Sequence, residues 1–211
     1  MNPSSYFFVT PHKDNVFKKL SSWSKPDCYI FDLQDGCPYP YKEKARSNIR
    51  EHAQLISSLG RKTYIRSNNF SNKVEFKKDM ELLELGFIDG VMLPFIENID
   101  ELVGIDNYLN TFENKHTSRK NKIQILPLIE TIYSLRNLER IISSSDRISG
   151  IALGLYDMFA DINAEMNTEN INFITNTVML GAKSANLPFI DSPFVDVHNY
   201  ADFFVNCDQS I

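Results

Sequence analysis

Seven times along the chain, a short run of apolar residues is followed by a polar stretch and then by an amphipathic segment. The apolar runs are rich in β-branched and aromatic residues and do not alternate with polar ones, which is typical of strands buried on both faces. The repeated order of strand and helix predicts a parallel sheet that is covered by helices. The predicted strands span 6–10, 28–32, 63–66, 90–93, 124–129, 150–155 and 187–190.

The number of strand–helix units favours a TIM (β/α)8-type barrel over an open doubly wound sheet. No Gly-x-Gly-x-x-Gly or Walker loop follows any predicted strand, which removes the usual nucleotide-binding reason for an open sheet. A complete barrel has eight units and roughly 250 residues. We therefore expect residues 1–211 to form a single, incomplete α/β barrel domain that lacks the eighth strand. Pro127 inside the fifth strand predicts irregular pairing there.

Composition excludes several classes of function. Hydrophobic residues make up 43% and charged residues 23% of the chain, as in ordinary globular domains, and the net charge is −5. A broad nucleic-acid or anionic-membrane surface needs an excess of basic residues, so neither partner is expected. The three cysteines show no metal-ligand spacing, and no segment is long enough for a signal or a membrane span. These features predict reduced thiols and a cytoplasmic location.

Polar side chains follow several predicted strands, where a TIM barrel builds its active site. Asp35 follows the second strand, Arg66 ends the third, Glu130 follows the fifth and Asp157 follows the sixth. Carboxylates from different strands suit Mg²⁺ or Mn²⁺, and an arginine fork suits a substrate carboxylate. Such a site can stabilise the oxyanion that forms when a carbon–carbon bond breaks.

Each of these residues also has a purely structural interpretation. Asp157 can cap a helix, Glu130 can be a first-turn charge, and Arg66 can form a structural bridge to Asp35. Asp32 and Asp191, which also lie at strand ends, are interpreted as structural. Three further residues near the predicted rim have no assigned role: His12, Cys37 and His198.

The motifs in this order resemble the citrate lyase β-subunit-like branch of the HpcH/HpaI aldolase superfamily, over nearly the whole chain. The segments that carry the resemblance are Phe7-Phe-Val-Thr-Pro11, Phe31-Asp-Leu-Gln-Asp35 with Lys42 and Arg46, Tyr64-Ile-Arg-Ser-Asn68, Asp89-Gly-Val-Met-Leu-Pro94, Leu128-Ile-Glu-Thr131 and Leu153-Gly-Leu-Tyr-Asp157. No single motif is specific, but six in this order and spacing are.

The resemblance implies a TIM-barrel lyase or aldolase that cleaves or forms a carbon–carbon bond. The implied substrate is a citryl-, malyl- or citramalyl-like 3-hydroxyacyl thioester on CoA or an acyl carrier, with a 2-oxo acid as the second fragment. Glu130 and Asp157 would hold Mg²⁺, Arg66 would bind the carboxylate of the 2-oxo acid, and Asp35 would orient Arg66 or a metal-bound water. Relatives of this kind usually form trimers or hexamers.

Two departures from the family pattern leave other functions open. Phe95 stands where the family often has lysine, and the chain ends before the family's eighth strand and C-terminal extension. The alternatives are a non-catalytic relative that binds a small acid or a partner protein, and a related thioester hydrolase with the same metal and arginine.

Overall fold

A computed structural model describes residues 3–20, 22, 26–117, 121–194 and 198–209. It contains one sheet of seven parallel strands in the order β1-β2-β3-β4-β5-β6-β7, as the sequence predicts for a barrel-type arrangement. The strands are β1 Tyr6–Val9, β2 Cys28–Asp32, β3 Lys62–Arg66, β4 Gly90–Leu93, β5 Gln124–Ile129, β6 Ile151–Leu153 and β7 Phe189–Ile190.

Helices follow the strands on one side of the sheet. They are α1 Asp14–Leu20, α2 Lys42–Glu51, α3 Ala53–Ser58, α4 Lys73–Met80, α5 Ile99–Lys115, α6 Ile132–Arg136, α7 Leu138–Ile142, α8 Leu155–Ile162, α9 Thr168–Ser184 and α10 Tyr200–Gln209. None of the helices in the described ranges has the length and apolar content needed to cross a lipid bilayer.

Three predicted helices differ from the structure in detail. The segment predicted as one helix over 41–58 is interrupted at His52, and that predicted over 133–142 is interrupted at Asn137. The helix predicted over 76–85 begins earlier, where the Asn72 side chain accepts the N–H of Glu75, and its last turn is a 3₁₀ helix. Gly86 ends that turn with φ 81°, which only glycine adopts readily.

The apolar side chains form two clusters, one on each side of the sheet. The outer cluster joins the strands to the helices and includes Phe31, Ile65, Leu93 and Ile129. The inner cluster brings together buried side chains from five strands, β2 to β6, with partly buried ones from β1 and β7 packed against it; its members include Ile30, Tyr64, Met92, Leu128, Ala152, Phe8 and Ile190. The sheet curls, with this inner cluster on one face and the outer cluster on the other. The seven strands thus have the curvature of a TIM barrel.

Pro127 lies inside β5 and alters its pairing, as the sequence predicts. Upstream of Pro127, β5 pairs with β4, while a single isolated bridge joins Ile125 to Ile148 on the other side. Regular pairing with β6 begins at Leu128. A proline has no N–H to donate to a neighbouring strand, which accounts for the interruption.

A fully buried ion network joins α2 to α4 on the outer side of β3. The Arg46 guanidinium is 1% exposed and donates to Asp79 at 2.7–2.8 Å and to Glu75 at 2.5 Å. The other oxygen of Asp79 accepts the backbone N–H and the side-chain amide of Asn68, both at 2.7 Å. Burial raises the pKa of Asp79, and the Asn68 bonds and Arg46 oppose that shift. This network fixes the loop that follows β3.

We predict that Asp79→Ala lowers the free energy of unfolding by about 3–5 kcal/mol, because it leaves a buried guanidinium without its main counter-charge. Urea unfolding followed by circular dichroism measures this loss. Glu81→Ala is the matched control: Glu81 pairs with Arg50 at 3.6 Å with both side chains nearly half exposed. That pair is worth below about 1 kcal/mol. Equal losses in the two variants would contradict the prediction.

Candidate active site at the carboxyl ends of the strands

Arg66 is fixed at the end of β3 by the aspartate beside it on β2. The register of the two strands places Asp32 opposite Arg66. Arg66 donates through Nε to Oδ1 of Asp32 at 2.9 Å and through Nη2 to Oδ2 at 2.5 Å. The guanidinium also lies over the ring of Phe8, 5.2 Å from its centroid. Because the Arg66 side chain is only 13% exposed, this two-pronged pair holds its charge in a defined orientation.

Asp32 also shapes the loop after β2. It accepts the backbone N–H groups of Gln34 and Gly36, each at 2.9 Å. A Cβ at position 36 would lie 2.2 Å from Oδ2 of Asp32, so the loop can approach the carboxylate only with glycine there. The same loop carries Asp35, whose carboxylate lies 4.0 Å from Nη1 of Arg66.

Lys42 and Asn68 hold this loop in place through hydrogen bonds to its backbone carbonyl groups. The buried Lys42 donates to the carbonyl oxygens of Leu33 at 2.7 Å and Gln34 at 3.1 Å. Asn68 donates to the same Leu33 carbonyl at 3.0 Å. Lys42 therefore supports the site by satisfying backbone acceptors of this loop.

Glu130 is the most deeply buried acidic residue at the rim. It follows β5, is 1% exposed, and its Oε1 accepts the N–H of Phe95 at 2.7 Å. Its Oε2 is buried and has no hydrogen-bond partner in the described residues. A Cβ at Gly154 would lie 2.8 Å from Oε2, so glycine at the end of β6 makes room for this carboxylate.

The electrostatics of the rim favour the binding of a cation beside Glu130. Burial raises the pKa of Glu130 to about 8. The Phe95 N–H and Arg66 oppose that rise, while Asp157 and Asp35 add to it. Burial also raises the pKa of Asp35, with Arg66 opposing and Asp157 adding. Negative charge therefore accumulates around Glu130 and Asp35, and such a concentration of carboxylates attracts a cation.

The residues present fit a divalent ion such as Mg²⁺. Asp157 lies in the first turn of α8, whose first residue follows Gly154, and its side chain makes no helix cap. Within the described ranges, no three His, Cys, Asp or Glu side chains are arranged as a complete metal cage. Mg²⁺ commonly binds through one or two carboxylates and keeps several waters, and the unpartnered Oε2 of Glu130 is a suitable ligand atom. Asp157 acts electrostatically on Glu130 and is the second carboxylate considered for such an ion.

The structure brings together the four residues predicted from the sequence and adds Asp32. Arg66 and Asp157 act electrostatically on both Glu130 and Asp35, and Asp35 acts on Glu130. From the sequence, Asp32 is interpreted as structural, and the family resemblance implies that Asp35 orients Arg66 or a metal-bound water. The short bonds come from Asp32, whereas Asp35 is more distant and exposed. Only the register of β2 and β3 identifies Asp32, and the sequence does not show that register.

The other rim residues named from the sequence have structural surroundings. The ring of His12 stacks on Tyr41 with 5.6 Å between centroids. Cys37 is buried, and burial raises the pKa of its thiol, which makes it a poor nucleophile. Asp191 accepts the N–H of Ser192, and the Ser192 hydroxyl links Leu153 to Leu155. His198 is exposed.

Comparisons with known proteins agree with this fold. The citrate lyase β subunit of Leuconostoc mesenteroides subsp. cremoris is 22% identical over 180 residues, 84% of this chain and 59% of the relative. A malyl-CoA/β-methylmalyl-CoA/citramalyl-CoA lyase of Chloroflexus aurantiacus is 27% identical over 156 residues, 72% of this chain and 44% of the relative. The chain thus spans about three fifths or less of the length of these relatives.

Two solved structures have the same fold. The citrate lyase β subunit of Mycobacterium tuberculosis complexed with oxaloacetate and magnesium has a TM-score of 0.74 at 18% identity, covering 96% of this chain and 85% of that one. A Haloferax volcanii malate synthase has a TM-score of 0.80 at 16% identity, covering 97% and 64%. The model of the HpcH/HpaI aldolase/citrate lyase family matches residues 4–210. The chain therefore belongs to the HpcH/HpaI aldolase/citrate lyase family.

Proposed function

We propose that the chain is a Mg²⁺-dependent carbon–carbon lyase of the aldolase type. Its substrate would be a citryl-, malyl- or citramalyl-like 3-hydroxyacyl thioester, and one product or co-substrate would be a 2-oxo acid. The observation that carries the proposal is the buried Glu130 carboxylate, whose Oε2 has no partner in the described residues and which interacts electrostatically with Arg66. Family membership and relatives named as lyases support it.

The proposed roles follow from the positions of the side chains. Arg66 would bind the carboxylate of the 2-oxo acid through Nη1, because Asp32 holds Nε and Nη2, whereas the nearest carboxylate to Nη1 is the exposed Asp35 at 4.0 Å. Glu130 and Asp157 would hold Mg²⁺ (or Mn²⁺), which when bound would act as a Lewis acid toward the oxygen that gains negative charge. Asp35, the exposed carboxylate at the same rim, would orient a water molecule or help to position Arg66.

In the cleavage direction, the bond between the hydroxyl-bearing carbon and the carbon next to the thioester would break. The hydroxyl proton would pass to a base, the hydroxyl-bearing carbon would become the carbonyl of the 2-oxo acid, and the thioester fragment would leave as an enolate. Arg66 would keep the acid end fixed throughout, because its guanidinium is already oriented before substrate arrives.

The thioester would be carried by CoA or an acyl carrier, and the chain would form one domain within a trimer or hexamer in the cytoplasm. Exposed apolar side chains on one face of α9 support self-association, since Phe173 is 70% exposed and Leu180 is 65% exposed.

The activity itself is tested by incubating the purified protein with Mg²⁺ and malyl-, citramalyl- or citryl-CoA. A lyase releases a 2-oxo acid and a shorter acyl-CoA, whereas a thioester hydrolase releases free CoA and the hydroxy acid. Mass spectrometry of the products distinguishes the two. We expect the lyase products, and their absence with all three substrates would favour a non-catalytic relative.

We predict that Glu130→Gln abolishes detectable Mg²⁺-dependent binding of a 2-oxo acid while the protein stays folded. The amide has nearly the same shape as the carboxylate but carries no charge for a cation. Isothermal titration with Mg²⁺ and then pyruvate measures the loss. Glu97→Gln, an exposed acid in the loop after β4, serves as the control and should bind as the original protein does. Unchanged Mg²⁺ affinity in Glu130→Gln would refute the metal assignment.

We predict that Arg66→Lys weakens 2-oxo acid binding by at least about tenfold, because lysine cannot keep the two-pronged pair with Asp32 and also contact the substrate. Asp32→Asn should weaken the same binding less, since Arg66 remains but loses its orienting charge. Mg²⁺ affinity should change little in either variant. Arg61→Lys, at an exposed arginine 3.8 Å from Asp27, is the matched control. Equal affinity for pyruvate in all four proteins would remove Arg66 from the site.

A further inference from the structure

We propose that the site selects a 2-oxo acid with a single carboxylate and an apolar or absent side group, and that Phe95 is the residue that determines this selection. This inference rests on the proposed function and names the substrate class of the same site. It depends on the backbone and surroundings of Phe95 and on the positive charges available at the rim.

The backbone of Phe95 ties this residue directly to Glu130. Phe95 follows the end of β4 with φ 46°, a left-handed conformation that is costly for a bulky side chain. In this conformation its N–H reaches Oε1 of Glu130 at 2.7 Å. Glycine would donate the same N–H without the steric cost, so the hydrogen bond alone does not account for a phenylalanine here.

The ring of Phe95 is separate from both apolar clusters. Leu93 and Ile96, on either side of it, belong to the outer cluster, and Phe95 belongs to neither cluster. The ring is partly buried all the same. Because the N–H of Phe95 is bonded to the Glu130 carboxylate, the Phe95 side chain leaves the backbone next to the site. It therefore provides an apolar surface next to the reacting groups.

The rim has few positive charges for a second substrate carboxylate. Among the described residues, Arg66 is the only lysine or arginine in an ion pair with a rim carboxylate: it pairs with Asp32 and lies 4.0 Å from Asp35. Two of the three guanidinium nitrogens of Arg66 are bonded to Asp32. Lys42 is buried and donates to Leu33 and Gln34.

This charge arrangement matches one substrate carboxylate and disfavours two. The first carboxylate can pair with the remaining edge of Arg66. A second would lie among Asp35, Glu130 and Asp157 or against the Phe95 ring, where it would lose hydration without gaining a partner. An uncharged methyl or ethyl group at the same position has no charge to desolvate, and it gains apolar contact with the Phe95 ring.

The test compares 2-oxobutyrate with freshly dissolved oxaloacetate, which differ in having a methyl or a carboxylate at the same end. Isothermal titration is done with the full chain and saturating Mg²⁺. We expect 2-oxobutyrate to bind at least about tenfold more tightly than oxaloacetate, as is typical when a site leaves a charged group unpaired. Pyruvate should follow 2-oxobutyrate.

Two variants assign the preference to Phe95. Phe95→Lys should shift the ratio of the two affinities toward oxaloacetate by about tenfold or more, because it supplies the missing cation. Phe95→Gly should shrink the ratio through loss of the ring, and glycine tolerates the left-handed backbone, so this variant remains informative if the lysine variant does not fold. Glu97→Lys is the control for a general change of charge and should leave the ratio unchanged.

The outcomes separate this inference from the function on which it rests. Mg²⁺-dependent binding of both acids with equal affinity, or tighter binding of oxaloacetate, overturns the inference and leaves the proposed lyase in place. A clear preference that is identical in folded Phe95→Lys and Phe95→Gly overturns the role of Phe95. Failure of all three acids to bind in the presence of Mg²⁺ overturns both the inference and the proposed function.

Discussion

The pair of Asp32 and Arg66 is the interaction on which the geometry of the rim depends. A guanidinium that is 13% exposed needs a counter-charge, and the in-register ends of β2 and β3 supply one at 2.5–2.9 Å. The same carboxylate accepts two N–H groups of the following loop. One aspartate thus sets both the direction of the arginine and the path of the loop that carries Asp35. Asp32 also raises the pKa of Arg66, against the effect of burial.

Glu130 has the opposite electrostatic situation. Arg66 has a bonded partner of opposite charge, whereas Glu130 has one backbone donor, a neighbouring Asp157 and a buried oxygen with no partner in the described residues. An ionised carboxylate in that setting is unstable unless a cation comes to it. The rim therefore combines a preorganised positive group with an incompletely balanced negative one. Enzymes that stabilise a developing oxyanion commonly use such preorganised charges.

The sequence predicts the parts of this protein that depend on local pattern. The bounds of β2 and β5 agree with the predicted runs at 28–32 and 124–129. Arg66 and Glu130 were predicted as rim residues because the ends of apolar strands can be recognised in the sequence. The breaks at His52 and Asn137 were missed because the apolar spacing continues through them. Asp32 was interpreted as structural, but its pairing with Arg66 could not be predicted, because Asp32 and Asp35 lie near the same strand end and only the register with β3 decides between them. The left-handed backbone of Phe95 has no local signal at all.

The buried charges outside the barrel show why a site of this kind needs more than its own residues. Asn68 lies two positions after Arg66 and is bonded both to Asp79 and to the Leu33 carbonyl. Lys42 bonds that same carbonyl from α2, the helix that also carries Arg46. A hydrophobic replacement for this network could fill the volume, but it could not satisfy the backbone acceptors of the loop. Buried ion pairs contribute little net stability compared with apolar packing. In this fold their contribution is positional, because they fix two loops against each other and so hold Asp32, Asp35 and Arg66 at one rim.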